Sequence, residues 1–423
     1  MRVSIRIAFV AVAMTLLPLM ASAYDFKVGD IAYNFVAGTN NEVAVTFTSN
    51  VIQPDPTLNN YYGVSDANIP ETVKYNGKTY SVTGIEAFTF QYSPITSIKI
   101  PKTIKRIGTY AFHSCSQLKT VHISDVAAWC NIEYDYVSSD IYALSCCPTY
   151  NSSDVVVYMN GQPLTDVVIP ASVTEIKRFA FYNWEFLKSV TINKNLKSIG
   201  QAAFSYCNNL KNVYISDLTA WFNMEGHYYL LSHCPCNLYL NNQLLIDLVV
   251  PENFKNIPSN SFYNIKSLKS VTFHNGVDTI GNQAFYGCQA LTSITIPYSV
   301  NRLGVQAFSR CIGLQTIYAE RYKPASTTIS FNNDDFANCV LYVPRQHIKE
   351  YKSAAEWKSF TNIVGWDPFP GDLNEDYVVN GTDVTALYNC LLNGEAVAGD
   401  ADVNGDGIVN GTDVTALYNI LLQ

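Results

Sequence analysis

The chain has 423 residues, enough for two to four domains at about 100–200 residues each. Charged residues are 15% of it, low for a globular protein, while 29 tyrosines and 21 phenylalanines make it rich in aromatics. The net charge of −8 and the lack of any basic run exclude a nucleic-acid binder, because neutralising phosphates takes clustered Lys and Arg.

Residues 1–23 read as a secretory signal: Arg2 and Arg6 precede an apolar run over 7–19, and Ala21, Ser22 and Ala23 supply the small-x-small cleavage pattern. The run is shorter than the ~20 apolar residues a bilayer span needs, no later stretch qualifies, and no Cys follows it to take a lipid. The expectation is a secreted chain with no membrane span, whose mature form begins near Tyr24. Residues 24–80 look like short strands forming an N-terminal β cap, with Asn76 and Gly77 turning a hairpin.

Over 81–320 a unit of the form I-x-x-x-(A)-F-x-x-(C)-x-x-L-x-x-V-x-I recurs. Its anchors are Phe90, Phe112, Phe181, Phe204, Phe262, Phe285 and Phe308, spaced by 22, 69, 23, 58, 23 and 23 residues. An Ile or Leu stands five residues before each anchor. In the unit around Phe204, Leu187, Val190 and Ile192 make a short strand with inward apolar residues, and Ala203 and Phe204 plug the coil. One such coil cannot bury its own core, but stacked coils share one. The segments "IPKTIKRIGTYAFHSCSQLKTVHI" and "FHNGVDTIGNQAFYGCQALTSITIPYSVNRLGVQAF" resemble the leucine-rich repeats of bacterial BspA-like surface proteins. That resemblance implies a β-rich leucine-rich-repeat solenoid with capping segments, and adhesion or protein binding.

Two related insertions interrupt the coils, "ISDVAAWCNIE" from Ile123 and "ISDLTAWFNME" from Ile215; Trp129 and Trp221 in them read as core plugs. Cys115, Cys207, Cys288 and Cys311 each follow an anchor Phe by three residues, which predicts a column of buried, reduced thiols. His227, His233, Cys234 and Cys236 crowd the second insertion in a zinc-like way. The sister insertion has Cys146 and Cys147 but no His, so a shared structural role explains both better. One outward residue lies between the inward residues of each repeat strand: Lys99, His122, Thr191, Tyr214, Thr272, Thr295 and Tyr318. Because strand side chains alternate faces, these are expected in one exposed row, the recognition surface for an unknown protein or glycan. No hydrolase, metalloprotease, P-loop or dinucleotide motif is present, and the chain reads as a non-enzyme.

Residues 321–366 suggest a C-terminal cap of strand, helix and closing strand, and 367–370 a linker. Residues 371–423 then repeat themselves at an offset of 30, with 16 identities in 21 positions between 372–392 and 402–422. Each copy has the D-x-[DN]-x-[DN] calcium-loop pattern with a closing acid at loop position 12. Loop one offers Asp372, Asn374, Asp376, the Val378 carbonyl, Asn380 and Asp383. Loop two offers Asp402, Asn404, Asp406, the Ile408 carbonyl, Asn410 and Asp413. All are oxygen donors, the set a hard cation such as Ca²⁺ takes, so two calcium sites are expected. In a segment of about 50 residues calcium should be a folding requirement. Tyr377 stands where loop two has Gly407, and such loops use Gly for a sharp turn.

Each loop leads into one helix, "VTALYNCLL" or "VTALYNILL", and this pair resembles a type I dockerin. The resemblance implies a small all-α calcium-binding domain with a cohesin-like partner. It nominates Gly381, Thr382, Tyr388 and Asn389 as one docking face and Gly411, Thr412, Tyr418 and Asn419 as its twin, which would allow docking in two orientations. The functional expectation is a secreted binding or adhesion protein attached through this module; the alternative is a dockerin-tethered glycan-binding or carbohydrate-active protein.

Overall fold

The structure is a computed structural model and describes residues 24–48, 61, 63–135, 143–232, 236–327, 330–331 and 337–422. The signal expected over 1–23, and His233 and Cys234, lie outside the described residues. Among the described residues no helix is long and apolar enough to cross a membrane. The chain divides into two compact units, Met1–Leu187 with Gly200–Asn208, and Lys188–Ile199 with Asn209–Gln423.

The first unit opens with three antiparallel strands, Phe26–Val28, Ile31–Phe35 and Glu42–Thr46. The hairpin Thr72–Tyr75 and Lys78–Ile85 turns at Asn76 (φ 48°) and Gly77 (φ 78°), as the dipeptide predicts. Strand Lys78–Ile85 runs through residue 80 and pairs in parallel with Arg106–Ile107, so cap and first coil share one strand. Parallel ladders then join Asp66–Asn68, Ser97–Ile100, Thr120–Ile123 and Val156–Met159.

Each coil turns inward at its anchor. Phe90, Phe112, Phe181 and Phe204 in the first unit and Phe262, Phe285 and Phe308 in the second are fully buried. Adjacent anchors stack: Phe181 on Phe204 at 4.8 Å, Phe262 on Phe285 and Phe285 on Phe308 both at 5.4 Å. Two residues before every anchor and two after it the backbone is left-handed, at Tyr110 and Ser114 around Phe112 and at Gln306 and Arg310 around Phe308. These bends aim a main-chain ladder at the neighbouring coil; Phe90 donates to the Ala111 carbonyl at 2.8 Å and Phe285 to Ala307 at 2.8 Å. Glycine is required where coils touch: a Cβ on Gly108 would lie 2.3 Å from Ala87 N, and one on Gly304 2.4 Å from Asn282 N.

Both insertions form a short helix capped by an Asp side chain, α1 (Val126–Cys130) after Asp125 and α2 (Leu218–Asn223) after Asp217. Trp129 and Trp221 plug them as expected, each indole N–H donating to a buried carbonyl, Ala180 at 2.5 Å and Ser261 at 2.9 Å. A further helix, α3 (His227–Leu231), follows in the second insertion. The thiols of Cys115, Cys207, Cys288 and Cys311 are buried and donate to the carbonyls of Phe90, Phe181, Phe262 and Phe285.

The second unit closes its last repeat sheet with Val340–Pro344 and Asn362–Trp366, both parallel to Thr316–Ala319, around α4 (Ile348–Ser353) and the buried Trp357. The final segment holds α5 (Gly381–Asn393) and α6 (Gly411–Leu421) packed through Leu373, Val384, Leu387, Val414 and Leu417. Asn380 and Asn410 start these helices with reciprocal capping boxes to Asp383 and Asp413.

Candidate calcium loops and docking faces

The two loops are built by one hydrogen-bond plan. Asp372 Oδ1 accepts from Asp376 N (3.2 Å) and its Oδ2 from Tyr377 N (2.8 Å); in loop two Asp402 accepts from Asp406 N (3.0 Å) and Gly407 N (2.7 Å). Asp376 and Asp406 accept from Val378 N and Ile408 N. Asn374 and Asn404 donate to Asp376 and Asp406 and to the hydroxyls of Thr382 and Thr412. Asp383 and Asp413, wholly buried, take the Asn380 and Asn410 N–H groups at 2.8 Å on one oxygen, and the Asn374 and Asn404 N–H groups at 3.2 Å on the other.

The side-chain and carbonyl oxygens of each loop are the kind of donor a hard cation takes, here held by main-chain N–H and Asn amide groups, and the closing carboxylates are desolvated. Among the described residues no three His, Cys, Asp or Glu side chains converge on one point. Each loop instead mixes carboxylates with Asn side chains and one main-chain carbonyl. His227 is buried with its Nε2 2.8 Å from the Trp221 carbonyl, and burial lowers its pKa to about 4. Cys236 donates to Leu210 O at 3.6 Å, so both serve the packing of the insertion.

Loop one differs from loop two in its surroundings. The Tyr377 ring lies between Tyr298 (4.5 Å, 14°) and Tyr322 (4.7 Å, 12°), with Phe369 edge-on to all three rings. The Tyr322 hydroxyl donates to Asp372 Oδ2 at 2.7 Å. Burial and this bond both push the Tyr322 phenol up, so it stays a donor. Glu375 Oε1 is 2.5 Å from His347 Nε2. Asp372 is consequently buried, whereas Asp402 is half-buried.

The proposed docking residues sit at the starts and outer faces of α5 and α6. Gly381, Thr382, Gly411, Thr412 and Asn419 are exposed and Asn389 is half-buried; Tyr388 and Tyr418 are 44% and 46% exposed.

On the repeat strands, register pairs Lys99 with His122 in the first unit, and Thr191 with Tyr214 and Thr295 with Tyr318 in the second. Thr272 instead pairs with Val249. Lys99, Thr272 and Thr295 are exposed; His122, Thr191, Tyr214 and Tyr318 are half-buried. Full exposure was the expectation for all seven, and three aromatic members lose it to ring neighbours from strands outside the repeat pattern. His122 stacks on Tyr158 at 5.2 Å, Tyr214 on Tyr239 at 4.7 Å and Tyr318 on Tyr342 at 4.8 Å. The signal for these partners is present in "VVVYM", "NLYL" and "LYVP", each with a Tyr at the outward position.

Stacked strand–turn coils followed by paired loop–helix units define a repeat protein joined to a docking module. The pattern described as BspA type Leucine rich repeat region matches in six copies over 83–133, 155–225 and 234–350, more than half of the sequence. The chain belongs to that family, and residues 370–422 match the Dockerin type I domain, a module that binds calcium. No curated protein matches. Among solved structures, a leucine rich cell surface protein from Faecalibacterium prausnitzii is similar at 19% identity, over 82% of this chain and 100% of that one, with a TM-score of 0.37. The pneumococcal vaccine antigen PcpA is similar at 17% identity over 82% and 100%, with a TM-score of 0.44. A leucine-rich repeat protein from Bacteroides ovatus is similar at 18% identity over 76% and 100%, with a TM-score of 0.27.

Proposed function

We propose that the chain is a secreted, surface-associated, non-enzymatic binding protein. Its repeats take a protein ligand on the strand face, and its last domain, residues 371–423 after a linker at 367–370, docks on a cohesin-like partner. Two calcium ions hold that domain, one by Asp372, Asn374, Asp376, the Val378 carbonyl, Asn380 and Asp383, the other by the twin set in loop two. Bound calcium would offset the mutual repulsion of three carboxylates in each loop, so chelation melts the helices of this domain and spares the repeat core.

The observation that carries the docking reading is the near-equal exposure of Tyr388 and Tyr418 on otherwise identical helix starts. Duplicate faces give redundancy. Thr382→Ala with Tyr388→Ala leaves affinity for a cohesin nearly intact, and so does the twin pair, while all four changes abolish docking. Loss of docking from one pair alone refutes the two-orientation reading.

On the repeats, the outward tyrosines use their ring faces on one another, which favours a protein ligand over a stacked sugar. Substituting Lys99 and Thr295 with Glu should weaken capture of a protein ligand and leave the melting temperature unchanged.

A further inference from the structure

The two loops differ at five of their 21 aligned positions, and two of those differences have one feature in common. Where loop two has Gly405 (φ 73°) and Gly407 (φ 85°), loop one has Glu375 (φ 60°) and Tyr377 (φ 69°). A left-handed backbone suits glycine and costs other residues free energy, so two such replacements in one loop call for a compensating gain. Both side chains reach the end of the repeats. Tyr377 is sandwiched by Tyr298 and Tyr322, and Glu375 meets His347. Tyr322 returns the contact twice, its N–H to the Tyr377 hydroxyl at 3.3 Å and its own hydroxyl to Asp372. In loop two a Cβ on Gly405 or Gly407 would meet nothing within 4 Å.

We propose that loop one is a calcium-dependent joint: Tyr322 is a positioning residue for its cation, and cation binding there clamps the docking module onto the end of the repeats. The inference rests on the reading of both loops as calcium sites. Asp372 supplies loop position one, and its Oδ2 is held by the Tyr322 hydroxyl and the Tyr377 N–H, which leaves Oδ1, with only a 3.2 Å bond from Asp376 N, the less engaged oxygen. The repeat body thus fixes a ligand's orientation before the cation arrives. By linkage, the cation tightens the same contacts. Loop two binds calcium without this coupling, and the exposed faces of α5 and α6 stay available to a partner. Docking would then set the direction in which the repeats project.

The test uses the full chain with loop two silenced by Asp402→Ala and Asp406→Ala, so that calcium titration reports loop one alone. Tyr322→Phe, which keeps the ring stack and loses the hydroxyl, should weaken calcium binding about ten-fold, the worth of one hydrogen bond to a charged acceptor. Deuterium exchange over 316–324, a segment without any calcium ligand, should slow on adding calcium. Tyr377→Gly should retain calcium but lose that protection. Unchanged affinity in Tyr322→Phe, or exchange over 316–324 indifferent to calcium, overturns the joint while leaving both calcium sites standing. Absence of calcium uptake by the unaltered chain overturns the joint and the calcium reading together.

Discussion

Loop one and loop two are the same sequence device in two settings. Their internal hydrogen bonds agree closely, as with the 2.8 Å and 2.7 Å bonds to the second oxygen of Asp372 and Asp402. What separates them is the partner surface: the repeats bury Asp372 under Tyr322, while Asp402 keeps partial contact with water. The lesson is that a duplicated motif diverges where its neighbours differ. Glycine survives in the loop with open space around it and is replaced where a side chain finds a partner. The largest contrast should come from the first ligand of each loop. Asp372→Ala and Asp402→Ala each remove one calcium ion. Both lose two charge-assisted main-chain bonds, and Asp372→Ala also strands the buried Tyr322 hydroxyl, so its cost should exceed that of Asp402→Ala by about 2 kcal/mol. Calorimetric unfolding at saturating calcium measures both; equal losses would show that the Tyr322 contact adds nothing.

A reciprocal exchange sharpens the comparison. Gly407→Tyr introduces a left-handed tyrosine whose Cβ meets nothing within 4 Å, so it should destabilise the module by about 1–2 kcal/mol. Tyr377→Gly relieves similar strain in loop one but forfeits two stacked ring pairs worth about 0.5–1.5 kcal/mol each, together with their buried area. The net expectation is a loss of about 1 kcal/mol, read by denaturant unfolding. A gain in stability from Tyr377→Gly would mean that the ring is tolerated there and does no binding.

Much of this was readable in the sequence, for a physical reason. Anchors such as Phe181 and Phe285, and the Cys three residues after four of the seven anchors, are core positions, and burial there favours apolar or small residues. The left-handed turns flanking each anchor are not readable as a rule, because Tyr110, Ser114, Gln306 and Arg310 share no residue type and only Gly287 and the asparagines Asn183, Asn260 and Asn264 advertise the bend. A subtler signal lay in the glycines. Gly108, Gly200, Gly281 and Gly304 follow the inward Ile or Leu only where the preceding coil is a plain repeat, whereas Ile85, Ile176 and Ile257, which follow a cap or an insertion, precede Glu86, Lys177 and Pro258. Close backbone approach between like coils accounts for that pattern. In the module the candidate ligand residues are named by spacing alone, and Tyr377 stands out as a departure. Its reason was not legible, since Tyr298 and Tyr322 are distant in sequence and belong to another architecture.

The smallest effect expected in the comparison concerns Glu375 and its twin Gly405. Glu375→Gly loses one side-chain hydrogen bond to His347, worth about 1 kcal/mol, and recovers about 1 kcal/mol of left-handed strain, so stability should move by less than about 0.5 kcal/mol. His347→Ala removes the same bond, together with the packing of its ring on Tyr322 at 5.2 Å, without relieving the strain, and should cost at least about 1 kcal/mol. Gly405→Glu adds strain with no partner and should cost about as much. The three measurements together separate contact from conformation. A gain near 1 kcal/mol from Glu375→Gly, with no loss from His347→Ala, would strike the Glu375–His347 contact from the joint and leave the three stacked tyrosines to hold it.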